Sequence, residues 1–220
     1  MFRGVTTNGP PSRAFQSDAA GNIVEDDDLV SGVTRAYTWN HPGLLAGVEV
    51  DASPVGAYTY DYLSRLVSRA LPVVSVIVHR VHDLDGNVIA EYDAGGDLLT
   101  GYVWLEERPV AVIDHSGTAP ETSFVHTDHL ERPAMMTDAG ATVVWRAAYL
   151  PFGEVASLTG PATLNDRFPG QWFQLESGLH YNWHRHYDPT TGRYLQPGPL
   201  GSERRWLRAR KIAELHFSVV

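Results

Sequence analysis

The densest set of chemically capable side chains lies in residues 178–201, GLHYNWHRHYDPTTGRYLQPGPLG. His180, His184 and His186 are nitrogen donors of the kind that bind zinc and other transition metals, and His126, Asp128 and His129 form a second such set in HTDH. Asp188 together with a histidine suggests a different chemistry, in which carboxylate and imidazole serve a hydrolase. Glu25, Asp26, Asp27 and Asp28 are four consecutive carboxylates, a candidate cation site. Each has a simpler reading. Taken as strand residues, His184 and His186 share a face without a complete ligand set. Asp128 orders a tight turn whose two imidazoles make local hydrogen bonds. The acidic run is expected to be a solvated loop. Asp18-Ala-Ala-Gly-Asn lacks the alternating oxygens and the twelfth-position glutamate of a calcium loop. Neither a Gly-Lys-Ser/Thr phosphate loop nor a Gly-x-Ser-x-Gly elbow occurs. The expected catalytic, cofactor-binding and metal residues are therefore none.

The rest of the composition narrows the elements that could position these groups. The chain has 220 residues and no cysteine, which excludes disulfides, thiolate zinc sites and a cysteine nucleophile. Its net charge of -9, from 26 acidic and 17 basic residues, argues against nucleic acid or an anionic membrane as the main partner. The N-terminus has no apolar core of the signal-peptide kind. The longest apolar stretch, LPVVSVIVHRV at 71–81, falls well short of the roughly 20 residues of a membrane helix. With 20 glycines, 14 prolines and 10% aromatic residues, the profile is that of an all-β chain rich in turns.

A degenerate repeat organises that chain. Asp-x-x-Gly occurs at 18–21, 83–86, 93–96 and 114–117, and YTWNHPGLL (37–45) aligns without gaps on YTYDYLSRL (58–66). Asp18, Asn40, Asp61 and Asp83 are spaced by 21 or 22 residues. Asp or Asn at the first position of a turn accepts a backbone N–H two residues on, and glycine supplies the positive φ that ends the turn. The flanking segments alternate as short strands do, so the unit is a β-hairpin added serially to a growing sheet. A tyrosine before the Asp can cover the neighbouring hairpin with its ring while its hydroxyl reaches a polar partner.

These cassettes resemble the YD repeats of the Rhs family, shared with insecticidal-toxin shells and teneurin-like proteins. FVHTDHLERPAMMTDAGATVVWRAAYLPFGEV (124–155) is similar to the family signature nearly position by position, and RFPGQWFQLESG (167–178) with the 178–201 segment is similar to the end of the Rhs repeat-associated core. Glu131 stands where the family has glycine, and Gly140-Ala141 reverses the expected order, so two turns are expected to be distorted. The resemblance covers residues 17–201 and implies four regions: an irregular 1–16, degenerate YD repeats at 17–122, the core at 123–201, and a divergent basic tail at 202–220.

The fold so implied is all-β, a serial β-hairpin sheet that is part of a spiral cocoon shell; the tail departs from the family, and Trp206, Ala209 or Arg210, Ala213 and Phe217 at 3 to 4-residue intervals suggest a short amphipathic C-terminal helix there. The implied function is structural, a fragment of a toxin-encapsulating shell without its toxin. The family core is also similar to an aspartyl autoprotease with two Asp-Pro-x-Gly motifs. Here Gly198 replaces the first aspartate and the second motif is missing, so processing is expected to be lost. The alternatives are a residual autoprotease, with Asp188 and a histidine, and a partner-binding module acting through the tail. Implied partners are other shell segments, a second copy, or a toxin, immunity or secretion-system protein. Implied localisation is cytoplasmic before type VI-like export.

Overall fold

The computed structural model describes residues 3–5, 12–168 and 170–198. The first strands are β1 (Arg3–Val5), β2 (Arg13–Ser17), β3 (Ile23–Asp28), β4 (Thr34–Trp39) and β5 (Leu45–Val50). They are followed by β6 (Ser53–Tyr60), β7 (Leu66–Leu71), β8 (Val76–His82), β9 (Val88–Tyr92) and β10 (Leu98–Leu105). Next come β11 (Arg108–Asp114), β12 (Glu121–Thr127), β13 (Pro133–Thr137), β14 (Val143–Tyr149) and β15 (Val155–Thr159). A second group comprises β16 (Asp166–Phe168), β17 (Gln171–Gln174), β18 (Leu179–Asn182), β19 (Arg185–Asp188) and β20 (Arg193–Tyr194). β1 to β15 form one antiparallel meander in strict chain order, and β16 to β20 form a second. The large sheet is open, since β1 and β15 do not pair, and it passes through position 122 without a break.

Turn chemistry explains the meander. Turns starting at Asp18, Asn40, Asp61, Asp83, Asp93, Asp128 and Asp138 share one pattern. The first residue's N–H bonds the carbonyl of the fifth, and its own carbonyl accepts the N–H of the fourth. Its side-chain oxygen accepts further backbone amides, as when Asp61 Oδ1 takes Leu63 N and Arg65 N, both at 2.9 Å. The turn at Leu150 keeps the same backbone bonds without the carboxylate.

Glu131 and Ala141 occupy the fourth position at φ 60° and 62°, as Ser64 does in the Asp61 turn at 65°, where the other turns have glycine. Both turns keep the shared hydrogen bonds, so the expected distortion does not occur: the five-residue turn is held by the first-position carboxylate, and the left-handed backbone is borne by a non-glycine. Asp114 departs the other way. Its Oδ1 accepts Ser116 N at 2.8 Å, but His115 N bonds back to Leu99 O and the cassette pattern is absent.

The aromatic residue before the turn ties successive repeats together. Trp39 Nε1 donates to Ile23 O, Tyr60 Oη to Leu45 O, Trp104 Nε1 to Val88 O and Tyr149 Oη to Pro133 O, all at 2.7–2.8 Å. Each acceptor is the residue just past the previous turn at the same end of the strands. A ring therefore packs on its neighbour's hairpin while its polar edge satisfies a carbonyl there.

One face of the large sheet is apolar and faces the small sheet. Leu45, Val48, Leu66, Val88, Met136 and Trp145 are buried in one cluster with Trp172, Leu179 and Tyr181 of the small sheet. Complete burial of one such side chain contributes about 1.5–3 kcal/mol. The small sheet touches both ends of the large one: Ile23 N donates to Leu195 O at 2.8 Å, and Tyr187 Oη donates to Phe152 O at 2.9 Å. The large sheet thus bends around the small one without closing on itself. The expected C-terminal helix and basic tail lie outside the described residues.

Candidate functional site: the polar seam between the sheets

The buried charge collects where the two sheets meet. Tyr58 and Arg69 are cross-strand partners on β6 and β7, and Arg80 and Glu91 are partners on β8 and β9. Glu176, in the turn between β17 and β18, reaches this row. Its Oε1 accepts Tyr58 Oη at 2.9 Å and its Oε2 accepts Arg69 Nη1 at 3.2 Å. Glu91 accepts Arg80 Nε at 2.9 Å and Tyr102 Oη at 3.0 Å. The Arg80 guanidinium lies 4.7 Å over the Trp172 ring, which meets Tyr102 edge-on at 5.0 Å. Burial alone pushes the Glu91 carboxyl up, but Arg80 and Arg69 outweigh it and hold the carboxyl below its ordinary value. Burial, reinforced by the adjacent glutamates, raises Tyr58 and Tyr102 well above the usual phenol range.

A second anchor joins the start of the large sheet to the small one. Arg13 on β2 pairs with Asp26 on β3 and lies 3.4 Å from Asp188 on β19. Asp26 is 1% exposed, and burial raises its pKa despite the arginine. This corrects the expectation for the acidic run, which is strand and not a solvated loop. The alternation of β3 sends Asp26 inward to Arg13, while Glu25 bonds Gln16, Asp27 bonds Thr34, and Asp28 accepts Val30 N and Ser31 N in the following turn.

The histidines do not converge. His184 lies in the turn after β18, stacked on Trp183 with ring centroids 5.8 Å apart, and not on a strand beside His186. His180 and His186 occupy adjacent, offset positions in the β18–β19 ladder, which puts them on opposite faces. Burial, then the nearby Arg167, lowers His180 to about 4, and burial lowers His186 to about 3. His126 Nε2 meets Thr137 Oγ1 at 2.9 Å, Asp128 is engaged by Leu130 N, Arg132 N and the Arg132 guanidinium, and His129 sits exposed at the turn tip. Among the described residues no three His, Asp or Glu side chains are grouped to hold a metal.

Asp188 is a turn organiser. Its Oδ1 accepts Thr190 N at 2.9 Å and Thr190 Oγ1 at 2.6 Å, and its Oδ2 accepts Thr191 Oγ1 at 3.0 Å. These hydroxyls and Arg13 are its partners, and none is a base. Gly198 follows β20, where a Cβ would lie 4.0 Å from Arg185 Nη1.

Sequence reasoning passed over Asp166, which is fully enclosed. Neither of its carboxylate oxygens has a hydrogen-bond partner among the described residues, and burial pushes its pKa well above the ordinary carboxyl value. No local signal marks it, because its neighbours in space come from other strands. Chemically, the seam joins two sheets with paired charges and offers no nucleophile held by a base.

A family model described as Teneurin YD-shell matches residues 6–217, a longer span than the motifs at 17–201. Double-stranded DNA deaminase toxin A of Burkholderia cenocepacia (strain H111) is 25% identical over 261 residues, covering 90% of this chain and 18% of the relative. Toxin protein Tse5 of Pseudomonas aeruginosa is 39% identical over 79 residues, covering 36% of this chain and 6% of the relative. The chain thus spans less than a fifth of either relative. Among solved structures, the crystal structure of TcdB2-TccC3-TEV aligns with TM-score 0.41 at 12% identity, covering 86% of this chain and 14% of that one.

Proposed function

Because the chain belongs to the teneurin YD-shell family, we propose that it is a wall segment of a shell that encloses a polymorphic toxin, and that it acts by containment and not by chemistry. The observation that carries this reading is the continuous fifteen-strand meander, whose apolar face is covered by its own small sheet while the outer sides of β1 and β15 carry no strand among the described residues. Such edges are templates for further strands, so the segment joins other shell pieces through backbone hydrogen bonds. The toxin names of the relatives support the enclosed cargo as a toxin. Gly198, in place of the family aspartate, and the saturated carboxylate of Asp188 support a wall that does not cut itself.

Two measurements on the purified chain test this. Intact mass after prolonged incubation is expected to stay unchanged, and a cut near residues 198–201 that is abolished by Asp188→Asn would replace containment with autoproteolysis. Sedimentation velocity is expected to show species beyond a dimer as concentration rises, and Ser157→Pro in β15 is expected to remove them.

A further inference from the structure

We propose that residues 202–220, which lie outside the described residues, fold back and dock along the tips of three successive turns, at 61–65, 83–87 and 105–108, beside Trp183. In an antiparallel meander the connections from even- to odd-numbered strands all fall at one end, so these turns are neighbours on one rim of the large sheet. Side chains tie them together there. Trp183 Nε1 donates to Leu63 O at 3.0 Å, and its ring lies against Gly86, where a Cβ would come 2.6 Å from it. Arg65 Nη1 donates to Asp83 O at 3.0 Å, and Asn87 Nδ2 donates to Glu106 O at 3.3 Å. What the tips expose is apolar. Tyr62 is 90% exposed, Leu84 103% and Leu105 56%, with Leu63 at 43% and Trp183 at 38%. A fully exposed side chain of this size presents on the order of 200 Å², so the five together present on the order of 600 Å², the upper end of what a lone surface carries.

Position, length and charge select the tail as the occupant. The chain leaves the small sheet beside this rim: Gln196 Nε2 donates to His184 O at 3.4 Å, next to Trp183, and a Cβ on Gly198 would lie 4.0 Å from Arg185 Nη1. Turns two strands apart lie about 10 Å from one another, so the three span about 20 Å. Written as a helix, Trp206 to Phe217 runs about 17 Å, and residues 199–205 reach about 20 Å when extended. The charges are opposite. Arg65 is paired with Asp61 and Arg185 lies over the Tyr194 ring, so the exposed charge at these tips is Asp85, Glu106 and Glu107 against Arg108. Residues 202–214 carry Arg204, Arg205, Arg208, Arg210 and Lys211 against Glu203 and Glu214. At helical spacing Trp206, Ala213 and Phe217 form one apolar stripe, with Arg210 within it and Arg205 at its border. That stripe covers Tyr62 and Leu84 while the two arginines meet the acids. A short linker supplies a millimolar effective concentration, so a contact of this size holds without a second molecule.

Docking of the tail needs neither free sheet edges nor an enclosed toxin. Ser157→Pro, which blocks edge growth, should leave it unchanged, so failure of the wall reading and failure of docking are read separately. In hydrogen–deuterium exchange on the full chain, amides of 206–217 are expected to exchange about tenfold or more slowly than in Tyr62→Ser with Leu84→Ser. The β spectrum of that variant should match the wild type, because both side chains stand at exposed tips. The chain has no cysteine, so pairs of introduced cysteines give a second test. Leu84→Cys with Phe217→Cys is expected to form a disulfide within one chain on mild oxidation, at a yield independent of protein concentration. Ala139→Cys, on a turn of the opposite rim, is expected to form none with Phe217→Cys. Tail amides that exchange equally fast in both proteins, a cross-link that forms as readily from position 139, or one that joins two chains and grows with concentration would each overturn the proposal.

Discussion

In the large sheet, Asp18, Asp61, Asp83 and Asp128 each open a turn, and in the small sheet Asp166 lies fully enclosed between strands. Burial raises all five carboxyls to some degree, but only the turn residues have donors to reverse it. Amides two and four residues on, with Asn22, Arg65, Asn87 or Arg132, hold the turn carboxyls below their ordinary value. Asp166 has no such donor among the described residues, and burial alone sets its direction, upward. One residue type therefore serves as a turn lock held down by donors in the large sheet and as an enclosed carboxyl pushed up by burial in the small one. What separates the roles is whether the partners are local in sequence.

The largest effect is expected at the junction of the two sheets. Trp172→Ala removes the ring that packs on Tyr102 and faces the Arg80 guanidinium, and should cost about 3–5 kcal/mol in chemical denaturation. Arg13→Ala leaves Asp26 buried without its cation and should cost about 3 kcal/mol, most of which Asp26→Asn should recover in the double variant.

The aspartates give the sharpest contrast at intermediate size. Asp61→Ala should destabilise by about 1–2 kcal/mol at pH 7, because the amides of Leu63 and Arg65 lose their acceptor. Asp166→Asn should be close to neutral at acid pH and increasingly stabilising as pH rises above the unfolded carboxyl pKa, because burial disfavours the ionised carboxylate in the folded chain only.

The pH dependence follows the same division. The turn carboxyls have depressed values, so their contribution is present above the unfolded carboxyl pKa and is lost as pH falls through their lower folded values. His180 and His186 are also depressed, to about 4 and about 3, so the unfolded chain takes up their protons first. Their contribution is complete above about pH 6.5 and declines as pH falls toward 4. Asp166 and Asp26, with raised values, act in the opposite sense. His186→Phe should therefore flatten the loss of stability between pH 6.5 and 4 by about 1.4 kcal/mol per pH unit, read from denaturation midpoints across that range. The smallest effect is at Glu131, whose φ of 60° favours glycine: Glu131→Gly should change stability by less than about 1 kcal/mol, toward stabilisation.

How much of this was legible in the sequence follows from the same distinction. The hairpin cassette was readable because the carboxylate and its amide partners lie within five residues, and the tyrosine strap because it joins adjacent repeats. Asn40 and Asp61 could be aligned to the cassette although Ser64 replaces glycine in the second. The acidic run at 25–28 was misread as a loop, since strand alternation hides one carboxylate while exposing its neighbours, and Asp26 is matched by an arginine 13 residues away. His184 was placed on a strand because nothing local marks Trp183, at φ 48°, as the turn. Glu176 leaves no local signal because Tyr58 and Arg69 meet it only when the small sheet docks, Arg80 because its pairing with Glu91 depends on strand register, and Asp166 because it has no hydrogen-bond partner among the described residues.

Hydrogen–deuterium exchange on the intact chain tests the central claim most directly. A wall segment built around its own small sheet predicts that amides of β4 to β9 and of β17 to β19 exchange slowly and together, while the outer amides of β15 exchange fast. Uniform protection that includes β15, or a small sheet that exchanges as fast as the turns, would contradict it.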